Sequence, residues 1–207
     1  MILLHLTEKL RRRLGLPKSA LASTASAAAG PDGVDAHAAL RWYGNTFETR
    51  GTSYLLTTNA ASLYSVVLED KEIDNSDAYM HAFLRALRVQ LAADGLDTLY
   101  DQKIAPSIGT VVLKRTADRS VLGTMKLMVQ ECEIGVHYID ATAAELSARI
   151  NGSIYNANHR STPRAAFARF GSQTLDPDIQ RHAGLVPPQP DIGRPRLDSI
   201  VEKHSSG

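Results

Sequence analysis

The stretch "TVVLKRTADRSVLGTMK", Thr110 to Lys126, decides how this chain is to be read. Its opening, Thr110-Val111-Val112-Leu113-Lys114, is rich in β-branched residues and predicts a strand. From Val121 the pattern changes. Leu122, Met125, Met128, Val129 and Cys132 recur at helical spacing until Gly135, which is a plausible stop. A strand that runs straight into a helix raises a second question, whether the junction only caps the helix or holds an anion. On the capping account Asp118 or Ser120 accepts the first free amide hydrogens, and Gly123 permits close packing against a neighbour. On the binding account Lys114 and Arg115 end the strand, Arg119 flanks the helix start, and Thr116 and Ser120 add hydroxyls. Free N–H groups beside guanidinium groups suit an anion, and the natural one is the phosphate of a nucleotide or nucleic acid. The stretch has no Gly-rich phosphate loop, so capping is the simpler account.

Downstream, Val136-His137-Tyr138-Ile139 predicts another strand. Thr142-Ala143-Ala144-Glu145 has capping-box spacing and opens a helix with Leu146 and Ile150 that ends at Gly152. Past Phe170, Pro177, Pro187, Pro188, Pro190 and Pro195 lie among Gly, Asp and Arg. That composition predicts a mobile tail over 171–207.

Upstream, Ile2-Leu3-Leu4-His5-Leu6 is short and apolar enough for a buried strand. Thr7 reads as an N-cap, Leu10 and Leu14 stand four apart, and Gly15 sits where a left-handed C-cap ends a helix. Arg11, Arg12 and Arg13 fall in its last turns, where cations suit the helix dipole. Residues 17–39 are rich in Ala and Ser, with Gly30-Pro31 and Asp32-Gly33. They predict a flexible insertion. Trp42, Tyr43 and Phe47 restore bulk, and Tyr54–Asn59 and Ser62–Leu68 are two β-prone runs around Asn59-Ala60-Ala61. They predict a hairpin, with Asn59 chosen for its tolerance of left-handed backbone. Between Ser76 and Gly95, Met80, Phe83, Leu84, Leu87 and Leu91 form one apolar stripe on a helix, leaving His81, Arg85 and Arg88 to solvent. The sum is a single α+β or α/β domain over 1–170, with a hairpin and several packed helices.

The composition narrows the function classes. With 207 residues, 43% of them hydrophobic and 22% charged, the chain can bury a core without staples. Net charge is +1, so no overall field draws it to nucleic acid and any such binding must be local. Cys132 is the single cysteine, which leaves no intrachain disulfide and no cysteine zinc framework; helical spacing makes it core. The start "MILLHLTEKLRRR" puts its apolar residues before its basic ones, and the apolar run is too short to span a bilayer. The expected setting is cytoplasmic, away from membranes. No nucleophile elbow, zincin, Walker or dinucleotide-binding motif occurs in the chain. The histidines His5, His37, His81, His137 and His159 are too scattered to nominate a metal site. No metal and no cofactor is expected. Tyr155, His159, Arg160 and Arg164 interleave aromatic and basic residues only faintly.

Several segments resemble an uncharacterised prokaryotic domain-of-unknown-function family. "LHLTEKL", residues 4–10, is similar to the family's "hxCTKKL" opening, with Leu6 in place of the usual cysteine. Trp42 and Asn45 match a "W-x-x-N" landmark. Leu55 to Val67 resembles "LLFVNDxTLFSVV". Residues 116–126 resemble "T-x-N-R-S-V-L-G-S-M-N", with Asp118 and Lys126 replacing asparagines. An echo of "P-x-x-A" follows at Pro163 to Ala166. The resemblance implies a single α+β or α/β domain of bacterial character and carries over no catalytic residue, because none is defined for the family. His5, Thr7, Trp42 and Asn45 become secondary site residues beside Lys114, Arg115, Thr116, Arg119 and Ser120.

Three functions remain open. The first is a non-enzymatic binding module for nucleic acid or a partner protein, in a mobile-element, toxin–antitoxin or phage-defence setting. The second is an enzyme on a phosphate-bearing substrate, using Lys114 and Arg119. The third is a structural or oligomerisation domain in which the hairpin edge pairs between subunits as a homo-oligomer.

Overall fold

The structure, a computed structural model, describes residues 1–22, 38–158 and 161–172. These fall within one compact unit, Met1–Gln173. Most of the expected insertion and tail, with His37, His159 and Arg160, lies outside the described residues. In chain order the elements are β1 (Ile2–Leu6), α1 (Glu8–Arg13), β2 (Arg41–Thr49), β3 (Thr52–Asn59) and β4 (Ser65–Glu69). There follow α2 (Ser76–Ala93), the short α3 (Asp97–Leu99), β5 (Val111–Arg115), α4 (Arg119–Ile139), α5 (Ala143–Gly152) and α6 (Pro163–Ser172).

The strands form one five-stranded sheet in the order β4-β3-β2-β1-β5. β1 runs parallel to both β2 and β5, while β2, β3 and β4 form an antiparallel meander. Helices cover both faces, so the sheet lies between two cores. On one face Leu4, Leu6, Trp42 and Leu55 pack against Leu10 of α1, Phe83 and Leu87 of α2, and Phe167 of α6. On the other, Tyr43, Phe47, Leu56 and Val67 pack against Met125, Met128 and Cys132 of α4 and Leu146 and Ile150 of α5. The domain is α+β with a mixed sheet. Among the described residues no helix is long and apolar enough to cross a membrane.

Local chemistry explains most boundaries. Thr7 accepts the Leu10 amide at 3.3 Å and Gly15 takes φ +64, so α1 starts and stops where its sequence says. Thr142 and Glu145 form a reciprocal capping box on α5. The α2 stripe is buried as read: Phe83, Leu87 and Leu91 have no exposed surface.

Several expectations are corrected. β2 is a full strand joined to β3 through Arg50 and Gly51, both at positive φ (50° and 74°), so the sheet contains two successive hairpins. No strand forms at 136–139, because α4 continues through Gly135 to Ile139 and ends at Asp140 in the left-handed region, φ 47°. Gly135 is a packing residue: a Cβ there would stand 2.6 Å from Leu146 Cδ2 of α5. Gly123 is the reverse case, since a Cβ there would meet nothing within 4 Å. The ends of the expected insertion are also built into the fold. Ala22 donates its amide to Leu113 O at 2.9 Å and bridges Lys114 at the outer edge of β5, while Leu21 and Ala39 are buried. Gly171 and Ser172, expected in the tail, complete α6.

The second hairpin turns as expected but for a different reason. Asn59 is wholly buried and works through its side chain, not through a left-handed backbone. Its Oδ1 accepts from the amides of Ala61 and Ser62 and from Ser62 Oγ, and its Nδ2 donates to the carbonyls of Ala38 and Arg41. The positive φ falls on Leu63, at 64°. At the outer edge of β4, Asn151 of α5 accepts the Ser65 amide and donates to the Ser65 carbonyl, each at 2.8 Å. Ser147 Oγ accepts the Val67 amide at 2.8 Å. α5 therefore occupies Ser65 and the Val67 amide, which subunit pairing along the hairpin edge would need.

Candidate functional site at the carboxyl ends of β1 and β5

β1 and β5 lie side by side and parallel, and the helices that follow them go to opposite faces: α1 to the Trp42 core, α4 to the Tyr43 core. In open sheets this divergence opens a crevice at the strand ends, where ligands bind. Most of the residues nominated from sequence meet there. His5 is the register partner of Lys114, and Leu6 of Arg115. Thr116 and Asp118 then carry the chain from β5 to Arg119 and Ser120, the first two residues of α4. Thr7 donates its hydroxyl to Asn45 Oδ1 at 3.0 Å, which ties the start of α1 to β2.

A polar row crosses the sheet beneath α4. Successive register partners are Lys114, His5, Tyr43, Thr58 and Ser65. The His5 ring stacks on Tyr43 with centroids 4.5 Å apart and planes 7° apart. His5 Nδ1 lies 2.8 Å from the carbonyl of Arg115. A carbonyl only accepts, so Nδ1 carries the proton and the neutral ring keeps its lone pair on Nε2. Burial pushes the imidazole below its ordinary value, the Arg115 hydrogen bond opposes this, Lys114 and Arg41 push it lower, and Asp118 raises it. The Tyr43 hydroxyl accepts the Asp118 amide at 3.3 Å. Burial raises the Tyr43 phenol.

The electrostatics are those of a cationic rim around one carboxylate. Arg115 and Arg119 are exposed and Lys114 is half-buried. None of the three enters an ion pair with any described residue. Asp118 Oδ1 accepts the amides of Ser120 at 2.8 Å and Val121 at 3.2 Å. The capping account thus describes the helix start, and the protein's own carboxylate already holds its free amides. An anion at this end would be held by the cations.

Other nominated residues part from the site. Trp42 is fully buried in the opposite core, donates Nε1–H to Ala39 O at 3.1 Å and packs against Phe83 and Phe167. Arg164 is paired with Asp94 at 2.9 Å, and the Tyr155 hydroxyl donates to Glu131 at 2.8 Å. Cys132 is buried, and burial, with Glu131 and Glu133 nearby, pushes its thiol up to about 12. It is an unreactive core residue.

Sequence pattern does not single out Tyr43 and Arg41. Only the register of β2 reveals them, and β2 carries no clean alternation. Among the described residues, hollows lie beside β2 and beside β4. One, of about 360 Å³, runs between Lys9, Asn45, Phe47, Leu122 and Lys126 beside the Thr7–Asn45 contact. The larger, of about 810 Å³, lies by β4 between α2 and α5 and holds no nominated residue. Among the described residues no group of three or more His, Cys, Asp or Glu is placed to hold a metal.

A comparison with curated proteins found no match. Residues 3–166 match the family described as Domain of unknown function (DUF6933). That span takes in β1 through the first turn of α6, including every strand end that forms the crevice. The chain belongs to the DUF6933 family.

Proposed function

We propose that the protein is a non-enzymatic binding module that takes nucleic acid, through its phosphates, at the carboxyl ends of β1 and β5. One observation carries the reading: Lys114, Arg115 and Arg119 flank the β5–α4 junction without an ion-pair partner among the described residues. Elsewhere the basic side chains near carboxylates are committed, as Arg11 and Arg12 are to Glu8, Arg13 to Asp70 and Arg164 to Asp94. Cations left unpaired beside hydroxyls suit a polyanion, which binds several at once and releases its counterions. With the net charge near neutral, such binding is local to this end of the sheet.

The test is fluorescence anisotropy with short single-stranded and duplex oligonucleotides, titrated at several salt concentrations. The expected result is affinity that falls steeply with salt. Arg115→Ala and Arg119→Ala should each reduce the salt slope by about one phosphate contact. No binding at low salt, or slopes unchanged in both variants, overturns the reading.

A further inference from the structure

The outer face of α4 is apolar where a lone helix would be polar. Leu127, Ile134 and Tyr138 stand at i, i+7 and i+11 on one stripe, with exposures of 56%, 51% and 76%. Nothing in the two cores uses these side chains, because α4 already buries Val121, Met125, Met128, Cys132 and Val136 on its opposite side. Gly123 lies on the same stripe, with open space where its Cβ would be. Lys126 and Glu133, seven residues apart, flank one side of the stripe, and neither has an ion-pair partner among the described residues.

We propose that α4 pairs with α4 of a second copy, antiparallel, about a two-fold axis passing near Gln130. An axis there sends each residue to one whose number makes a near-constant sum with its own. Leu127 then lies against Ile134 of the second copy, and Gly123 against Tyr138, a vacancy facing a large ring. Lys126 faces Glu133 twice, once on each side of the axis. The flanking positions on one side of two antiparallel helices face each other, so a lysine and a glutamate there are self-complementary only in this orientation. The charge pairing is what selects a second copy as the occupant of the face, and exposed apolar side chains aligned on one stripe are what such pairing would bury. The inference does not rest on the nucleic-acid reading, which concerns the cations at the β5–α4 junction.

Sedimentation of the full chain over a range of concentrations tests it. The wild type should be a dimer. Lys126→Glu and Glu133→Lys, each placing like charges opposite each other, should weaken dimerisation at least tenfold. Mixing the two variants in equal amounts should restore a dimer, because the mixed pair has opposite charges at both contacts. Leu127→Glu should be monomeric with unchanged circular dichroism. A wild type that stays monomeric at the highest concentration overturns the proposal. So does a dimer that both charge variants form as tightly as the wild type, or a mixture that remains monomeric.

Discussion

The hydroxyl of Tyr79 on α2 lies 2.6 Å from Thr57 Oγ1 on β3, directly over Gly44 on β2. A Cβ on Gly44 would stand 2.6 Å from that hydroxyl and 2.7 Å from Leu10 Cδ2. The glycine is therefore required by close approach, not by its backbone angles. Gly44→Ala should cost about 1–3 kcal/mol, the usual cost of overpacking. Tyr79→Phe removes one of the two clashing atoms but leaves Thr57 without its partner. The double variant should thus be more stable than the sum of the single losses. Chemical denaturation of the four proteins in the cycle checks this, and strict additivity would show that the phenol does not meet the new methyl group.

Asp118→Ala separates capping from binding by moving two observables in opposite directions. Loss of the cap should lower stability by about 0.5–2 kcal/mol. Removing the Asp118 carboxylate from the cationic rim should at the same time tighten oligonucleotide binding. Thermal melts and anisotropy on the same sample measure both. A loss of stability with weaker binding would mean that the carboxylate orders the site.

The buried imidazole of His5 sets a pH dependence whose sign follows from its environment. Its folded value lies below the ordinary 6.5, chiefly through burial. As pH falls through about 6.5 the unfolded chain takes up a proton that the folded chain does not, so stability declines with falling pH until the folded value is reached. Above 6.5 the contribution is fully present. His5→Gln should flatten the slope of stability against pH between about 7 and 5, measured by urea midpoints. An unchanged slope would place the titrating group elsewhere.

Two glycines of the same helix should respond oppositely to alanine. Gly135→Ala meets Leu146 and should destabilise by about 1–3 kcal/mol, less if the leucine turns aside. Gly123→Ala meets nothing within its own chain and should stabilise by about 0.5–1 kcal/mol, the helix-propensity difference. Denaturation of each variant at dilute concentration decides. Equal effects at both positions would deny the contact between α4 and α5.

That contrast also shows what the sequence discloses. α2 is legible because one face is buried and one is wet, so its apolar residues fall on a single stripe. β1, the caps of α1, α4 and α5, and the buried Cys132 follow from short-range chemistry. β2 is opaque for the opposite reason: "RWYGNTFET" is covered on both faces, with Trp42 facing one core and Tyr43 the other, so no period-two alternation appears. The length of α4 is opaque because a glycine that admits a neighbouring leucine reads like a glycine that ends a helix. On spacing alone Gly123 reads as the packing residue and Gly135 as the stop, whereas Gly135 does the packing. At the site, the cations Lys114, Arg115 and Arg119 are legible because they stand close together in the chain. The stacking of His5 on Tyr43 depends on strand order, which no local pattern encodes.

The amide and carbonyl groups of Ser65 and the amide of Val67, satisfied by Asn151 and Ser147, bear on colloidal behaviour. An open strand edge is a template on which further chains can add as cross-β layers. Here the template is masked by two side chains from one ten-residue helix. Were α5 to come away while the rest of the sheet stayed folded, that edge would be bared, and aggregation would begin from a nearly native molecule.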